Sequence, residues 1–146
     1  MSMEISYPAR ISPQKGGSLL VEFLDLPDTF TEGETLEEAL FNAAEVLSAM
    51  VGWHIDQGSD IPAPSPKLKG VKAVKGVYYI APDAKTQAVL LLRQARGGRS
   101  LAELARAMDT SWPQAKRLED PHHWPSLKTL DKAARVLGKR LVLSME

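Results

Sequence analysis

Near the N-terminus apolar and polar residues alternate with a period of two, the pattern of extended chain with one face buried. Ile5, Tyr7, Ala9 and Ile11 fall on one side of a first strand. Pro8 has no amide hydrogen, so an edge position or a bulge is expected for it. Gly16-Gly17 is a turn signal, and Leu19, Val21 and Phe23 alternate on a second strand. A β-hairpin is the economical reading. Pro27-Asp28 closes that strand as a turn, and Thr29-Phe30-Thr31 supplies a short third strand that Gly33 ends.

The period then changes to three and four. Thr35 is placed as an N-cap with Glu38 at N3, a capping box. Leu36, Leu40, Ala43, Leu47, Met50 and His54 follow as one apolar stripe facing a sheet. Glu37 and Glu38 in the first turn suit the helix dipole. Asp56-Gln57-Gly58 ends the helix. Residues 61–70 carry three prolines and are expected to form an ordered connector, neither helix nor central strand. A last strand is expected at Val77-Tyr78-Tyr79-Ile80, giving β-β-β-α-β.

Beyond residue 80 the pattern is helical. A helix opening at Pro82 or Asp83 runs to Arg96 and stops at Gly97-Gly98. Ser100 caps a second, with Leu101, Leu104, Ala105 and Met108 inward. Asp109-Thr110-Ser111 breaks it after two turns, and Ser111 caps a third with Pro113 in its first turn. Ser126 caps a fourth, with Leu127, Leu130, Ala133, Ala134 and Leu137 inward. Residues 140–145 alternate as a terminal strand, which needs a partner, so strand exchange across a dimer is expected. The fold class is therefore α+β: a sheet domain at residues 1–80, then a helical domain at residues 81–146 with a C-terminal strand.

The formal net charge is zero, yet it is split. Residues 1–80 hold 6 Lys and Arg against 11 Asp and Glu, and residues 81–146 hold 12 against 7. Opposite signs point to two modules with different partners: the basic half is drawn to a polyanion, the acidic half to a basic protein surface. With no cysteine, disulfides and thiolate metal sites are excluded, which fits a reducing, cytoplasmic setting. His54, His122 and His123 have no metal-ligand spacing. No apolar run is long enough to cross a bilayer, and no signal peptide is expected at the N-terminus.

Residues 100–119, SLAELARAMDTSWPQAKRLE, carry the most specific chemistry. Two short helices joined by a three-residue turn form a helix-turn-helix unit. Ala105 permits a close crossing, and Ala115 with Leu118 holds the second helix down. Trp112, Gln114, Lys116 and Arg117 are left outside. Glutamine pairs with adenine edges, and arginine or lysine with guanine edges or phosphate, in a DNA major groove. Thr110 and Ser111 are candidates for phosphate contact, as are Arg99, Arg106 and Lys128. Asp109 stands where the turn glycine is usual, and it tolerates the left-handed conformation less readily than glycine. A helical domain with a basic face and no DNA contact is the bland alternative. Trp112 is as ready to pack on a neighbouring helix as to touch a base, and loop packing accounts equally well for His122, His123 and Trp124. In the first half caps and solvated faces explain Glu32, Glu34, Glu37 and Glu38, so no catalytic set, metal or cofactor is expected. His54 is read as a packed boundary residue.

The order YPARISPQKGGSLLVEFLDLPDTFTEGETLEEALFNAAEVL resembles the N-terminal domain of HicB antitoxins. The marks are Tyr7-Pro8, Gly16-Gly17, Phe23, Asp25-Leu26-Pro27, Thr31, Gly33, Thr35, Glu38-Ala39 and Asn42-Ala43, with Pro62, Pro64 and Pro66 following. The resemblance covers nearly the whole chain, because one subgroup carries a C-terminal helix-turn-helix. It implies a partial RNase H-like N-terminal domain that is not an enzyme and binds HicA, a small basic toxin that cleaves mRNA. It also implies a C-terminal domain that dimerises on double-stranded operator DNA and represses the operon, with self-association to dimers or tetramers. Ser18 and Asp109 depart from the pattern. The competing reading is a stand-alone helix-turn-helix transcriptional regulator whose N-terminal domain senses a small molecule, which requires an apolar pocket between sheet and helix.

Overall fold

Strand parity decides how the first half closes. A computed structural model of the chain describes residues 5–64 and 74–146. It divides into two compact units, Met1–Asp83 and Ala84–Glu146. In the first, β1 (Tyr7–Pro13), β2 (Leu19–Phe23), β3 (Phe30–Gly33) and β4 (Val77–Ile80) form an antiparallel sheet of order β3-β2-β1-β4. The helix α1 (Leu36–Gln57) lies between β3 and β4 in the chain. Cross-strand partners Ile11↔Val21 and Ala9↔Phe23 share one face, and all four are buried.

Pro8 is on neither an edge strand nor a bulge, because β1 lies between β2 and β4. A strand residue points its N–H and C=O the same way. The Pro8 carbonyl accepts from the Leu24 N–H at 3.0 Å on the β2 side, just past the last β2 pair, Ala9↔Phe23. Its missing donor therefore falls at the end of the β2 ladder, beyond the last pair, and leaves the bonds to β4 intact, so an interior strand tolerates it.

α1 begins as its sequence requires: the Thr35 hydroxyl accepts from the Glu38 N–H at 3.1 Å. It ends at Gly58, whose φ of 66° is left-handed and whose N–H caps the His54 and Ile55 carbonyls. The buried stripe is Ala39, Ala43, Leu47 and Val51, each 0% exposed. That is rotated from the expected one: Leu36 is 41% exposed, and Leu40, Met50 and His54 are only half-buried. Small residues bring this about. A Cβ on Gly33 would stand 2.5 Å from the Ala39 backbone nitrogen, so β3 and the first turn of α1 meet backbone to backbone. The connector is tied to the sheet where the Tyr7 hydroxyl donates to the Pro62 carbonyl at 2.8 Å. The rest of it, from residue 65, lies outside the described residues.

The second unit contains α2 (Ala84–Arg96), α3 (Leu101–Ala107), α4 (Trp112–Arg117) and α5 (Leu127–Val136). Ser100, Ser111 and Ser126 cap the last three through their hydroxyls. One core joins them: Leu92, Leu104, Ala105, Met108, Ala115, Leu118, Ala133 and Leu137. Leu127 is not in it, being 60% exposed directly after its cap, ahead of the part of α5 that packs. The expected C-terminal strand is also not formed; residues 139–146 have no helix or strand assignment. A strand exists only as part of a ladder, and none of the described strands lies in this unit.

Candidate functional site

α4 is positioned by two inward residues and a turn. Ala115 and Leu118 are 0% and 3% exposed, packed with Leu104, Ala105 and Met108. The reversal between α3 and α4 occupies residues 108–111, and its pivot is Asp109 at φ 53°. The Thr110 N–H there donates to the Ala105 carbonyl at 2.9 Å, which ties the turn to α3. The Ser111 hydroxyl accepts from the Gln114 N–H at 3.3 Å.

The side chains left outside are those expected. Gln114, Lys116 and Arg117 are exposed, and Trp112 is 47% exposed. The Lys116 ammonium lies 5.1 Å from the centre of the Trp112 ring, so a cation and an aromatic plane occupy one surface. α4 contains no acidic residue. Arg106 on α3 and Lys128 on α5 are exposed. Thr110 is half-buried. Arg99 has local work: its guanidinium donates to the Ala95 and Leu137 carbonyls at 3.1 and 3.3 Å, binding the end of α2 to the end of α5. Trp124 is 62% exposed, with the Lys85 ammonium 5.5 Å from its ring centre.

The pair that anchors α4 was not visible in the sequence. Arg96 at the end of α2 grips Glu119 in a two-pronged bond of 2.6 and 2.8 Å, and also donates to the Arg99 carbonyl at 2.7 Å. The hydrogen bond to Glu119 is the main reason the Arg96 guanidinium holds its proton more tightly than usual; burial opposes this and the Glu119 charge adds to it. Fork-to-fork pairing fixes orientation as well as distance. The partners are 23 residues apart, and no periodic pattern connects them.

In the first unit the space between sheet and helix is filled. Ala9 and Val21 are 0% exposed opposite an α1 stripe that is equally buried, so side chains occupy the place where a ligand-sensing domain would hold its ligand. A concavity of about 460 Å³ lies at the β2–β3 turn. Exposed acids are spread over the unit, among them Glu22, Asp28, Glu32, Glu34, Glu37, Glu38 and Glu45. Among the described residues no group of three or more acids or histidines could hold a metal, and no helix is long and apolar enough to cross a membrane.

A filled sheet-and-helix unit with exposed acids, followed by a helical unit with exposed bases, defines a two-unit α+β protein. Residues 6–76 match the HicB-like antitoxin of bacterial toxin–antitoxin systems. The chain is 32% identical to antitoxin HicB 2 of Photorhabdus laumondii over 98% of both proteins. It is 30% identical to antitoxin HicB of Escherichia coli K12 over 95% of this chain and 98% of that one. The solved N-terminal domain of Burkholderia pseudomallei antitoxin HicB matches 54% of this chain and 99% of its own, at 23% identity and a TM-score of 0.44. The chain belongs to the HicB family of antitoxins. Its general role is that of the antitoxin in a toxin–antitoxin system, and it is not an enzyme.

Proposed function

We propose that this antitoxin binds and neutralises a cognate HicA-type mRNA interferase through its first unit and represses its own operon through its second. The first unit is read as a partial RNase H-like fold that covers a basic toxin, and its exposed acids complement such a surface. In the second, α3 and α4 act as a helix-turn-helix, with α4 laid in the major groove of operator DNA. The observation that carries this reading is the outward side of α4. Gln114, Lys116 and Arg117 stand exposed on a helix without acids, held by a buried core and the Arg96–Glu119 clasp.

Gln114 and Arg117 are assigned to base edges, Lys116 and Trp112 to the groove wall, and Arg106, Lys128, Ser111 and Thr110 to phosphates. Arg99 serves the fold first, and its remaining donors are available to the backbone of the duplex. The tail after α5 exposes Val142, Leu143 and Met145 at 66%, 68% and 104%. Pairing with the same segment of a second copy would cover it, so the operator-bound form is a dimer or a tetramer, and the operator has two half-sites separated by a whole number of helical turns.

The test uses the full chain carrying Gln114→Ala and Arg117→Ala. Each change is expected to weaken operator binding by about tenfold, measured by gel shift at fixed salt. Suppression of toxin RNA cleavage should be unchanged. Equal loss of both activities would contradict the division of labour between the units.

A further inference from the structure

The turn joining β2 to β3 forms a cavity of about 460 Å³ lined by the run from Glu22 to Phe30. The base of this notch is rigid. Leu26 and Thr29 are buried, the Phe23 N–H donates to the Thr29 carbonyl at 3.1 Å, and the Thr29 hydroxyl donates to the Pro27 carbonyl at 3.1 Å. Glu22 and Phe30 are cross-strand partners, so their side chains stand together on the face opposite buried Val21. Phe30 is 63% exposed and Leu24 45%, an unusual amount of apolar surface for a turn. Asp28 is held left-handed at φ 54° on the rim. The Glu22 and Asp28 carboxylates line the notch, and both residues are exposed. The neighbouring base is Arg10, opposite Glu22 on β1.

We propose that this notch receives an arginine or lysine side chain of the protein partner, with its charge between the Glu22 and Asp28 carboxylates and its stem along Phe30 and Leu24. The proposal rests on the antitoxin reading above and says where on the first unit the toxin is gripped. The composition selects the occupant. An apolar side chain would cover the ring but bury the Glu22 and Asp28 carboxylates without supplying an opposite charge. A bare cation would neutralise the acids but leave the ring wet. A long basic side chain satisfies both, because its methylenes pack on apolar surface while its head stays polar, and a cation is also drawn to an aromatic face. The turn is already braced by its own hydrogen bonds, so little ordering cost remains at binding.

The experiment measures affinity of the full chain for the catalytically inactivated cognate HicA-type toxin by titration calorimetry. Phe30→Ala and the pair Glu22→Gln with Asp28→Asn remove the ring and the charges separately. Asparagine is at ease in the left-handed region, so the rim keeps its shape. Each is expected to weaken toxin binding by about tenfold or more, as at an interface hot spot. Phe41→Ala, and Glu37→Gln with Glu45→Gln, remove an equally exposed ring and equal charge from α1. These controls should change affinity by less than about threefold. Operator binding and melting temperature of all four proteins report that they are folded. Wild-type affinity in the notch variants, or equal losses in notch and α1 variants, would overturn the notch while leaving the antitoxin reading in place. Failure of the wild-type chain to bind the toxin would overturn both.

Discussion

Asp109 sits at φ 53° in the reversal between α3 and α4, with no glycine there to relax it. A left-handed residue with a Cβ costs roughly 1–2 kcal/mol, and aspartate offsets part of this through its short polar side chain. Asp109→Gly is therefore expected to stabilise the chain by about 0.5–1 kcal/mol, after the larger unfolded-state entropy of glycine is subtracted. Chemical denaturation checks it, and a loss of stability would show that the carboxylate has a structural partner. The need for a left-handed residue was legible in the sequence, because few residue types serve a turn that short. Tyr7 is a different case. Burial first, and the Asp25 charge second, raise its pKa above the ordinary value. A group that holds its proton more tightly when folded stabilises the fold at low pH and loses that contribution as pH rises. Stability should fall from about pH 10 upward, and Tyr7→Phe should flatten that limb of the curve while costing about 1 kcal/mol at neutral pH. A limb unchanged in Tyr7→Phe would assign it to other groups. The partner of the hydroxyl, the Pro62 carbonyl, is 55 residues away and left no trace in the local pattern.

At the scale of elements, the caps and periods located each described helix and strand and added a terminal strand that does not form, while packing decided which side of α1 faces the sheet. Period alone does not distinguish two stripes rotated by one residue when both contain Ala43 and Leu47. The choice was made at Gly33, where the backbone of β3 touches Ala39. Gly33→Ala is expected to cost about 1–3 kcal/mol, the usual range for forcing atoms into a packed site. The unfolding transition of the first unit reports it. A neutral effect would mean that β3 and α1 separate without cost. The terminal strand has another lesson. Alternation at residues 140–145 predicts an element whose partner is not in this chain, and an isolated strand has nothing to bond to. The Arg96–Glu119 clasp was invisible for the opposite reason: both residues read as ordinary charged positions, and only the tertiary fold brings them within 2.6 Å.

For the whole molecule, the two compact units coincide broadly with a split of charge that the zero net value conceals. The outer residues of α4 were legible because Ala115 and Leu118 define the inner side of so short a helix. The notch at the β2–β3 turn was not, since its residues read simply as a turn, and only strand register places Phe30 beside Glu22. RNA cleavage by the HicA-type protein proposed as its partner, titrated with the full chain, shows whether this chain silences a toxin by binding it. Cleavage is expected to stop near one antitoxin unit per toxin, with or without operator DNA. Undiminished cleavage in the presence of excess folded chain would contradict it.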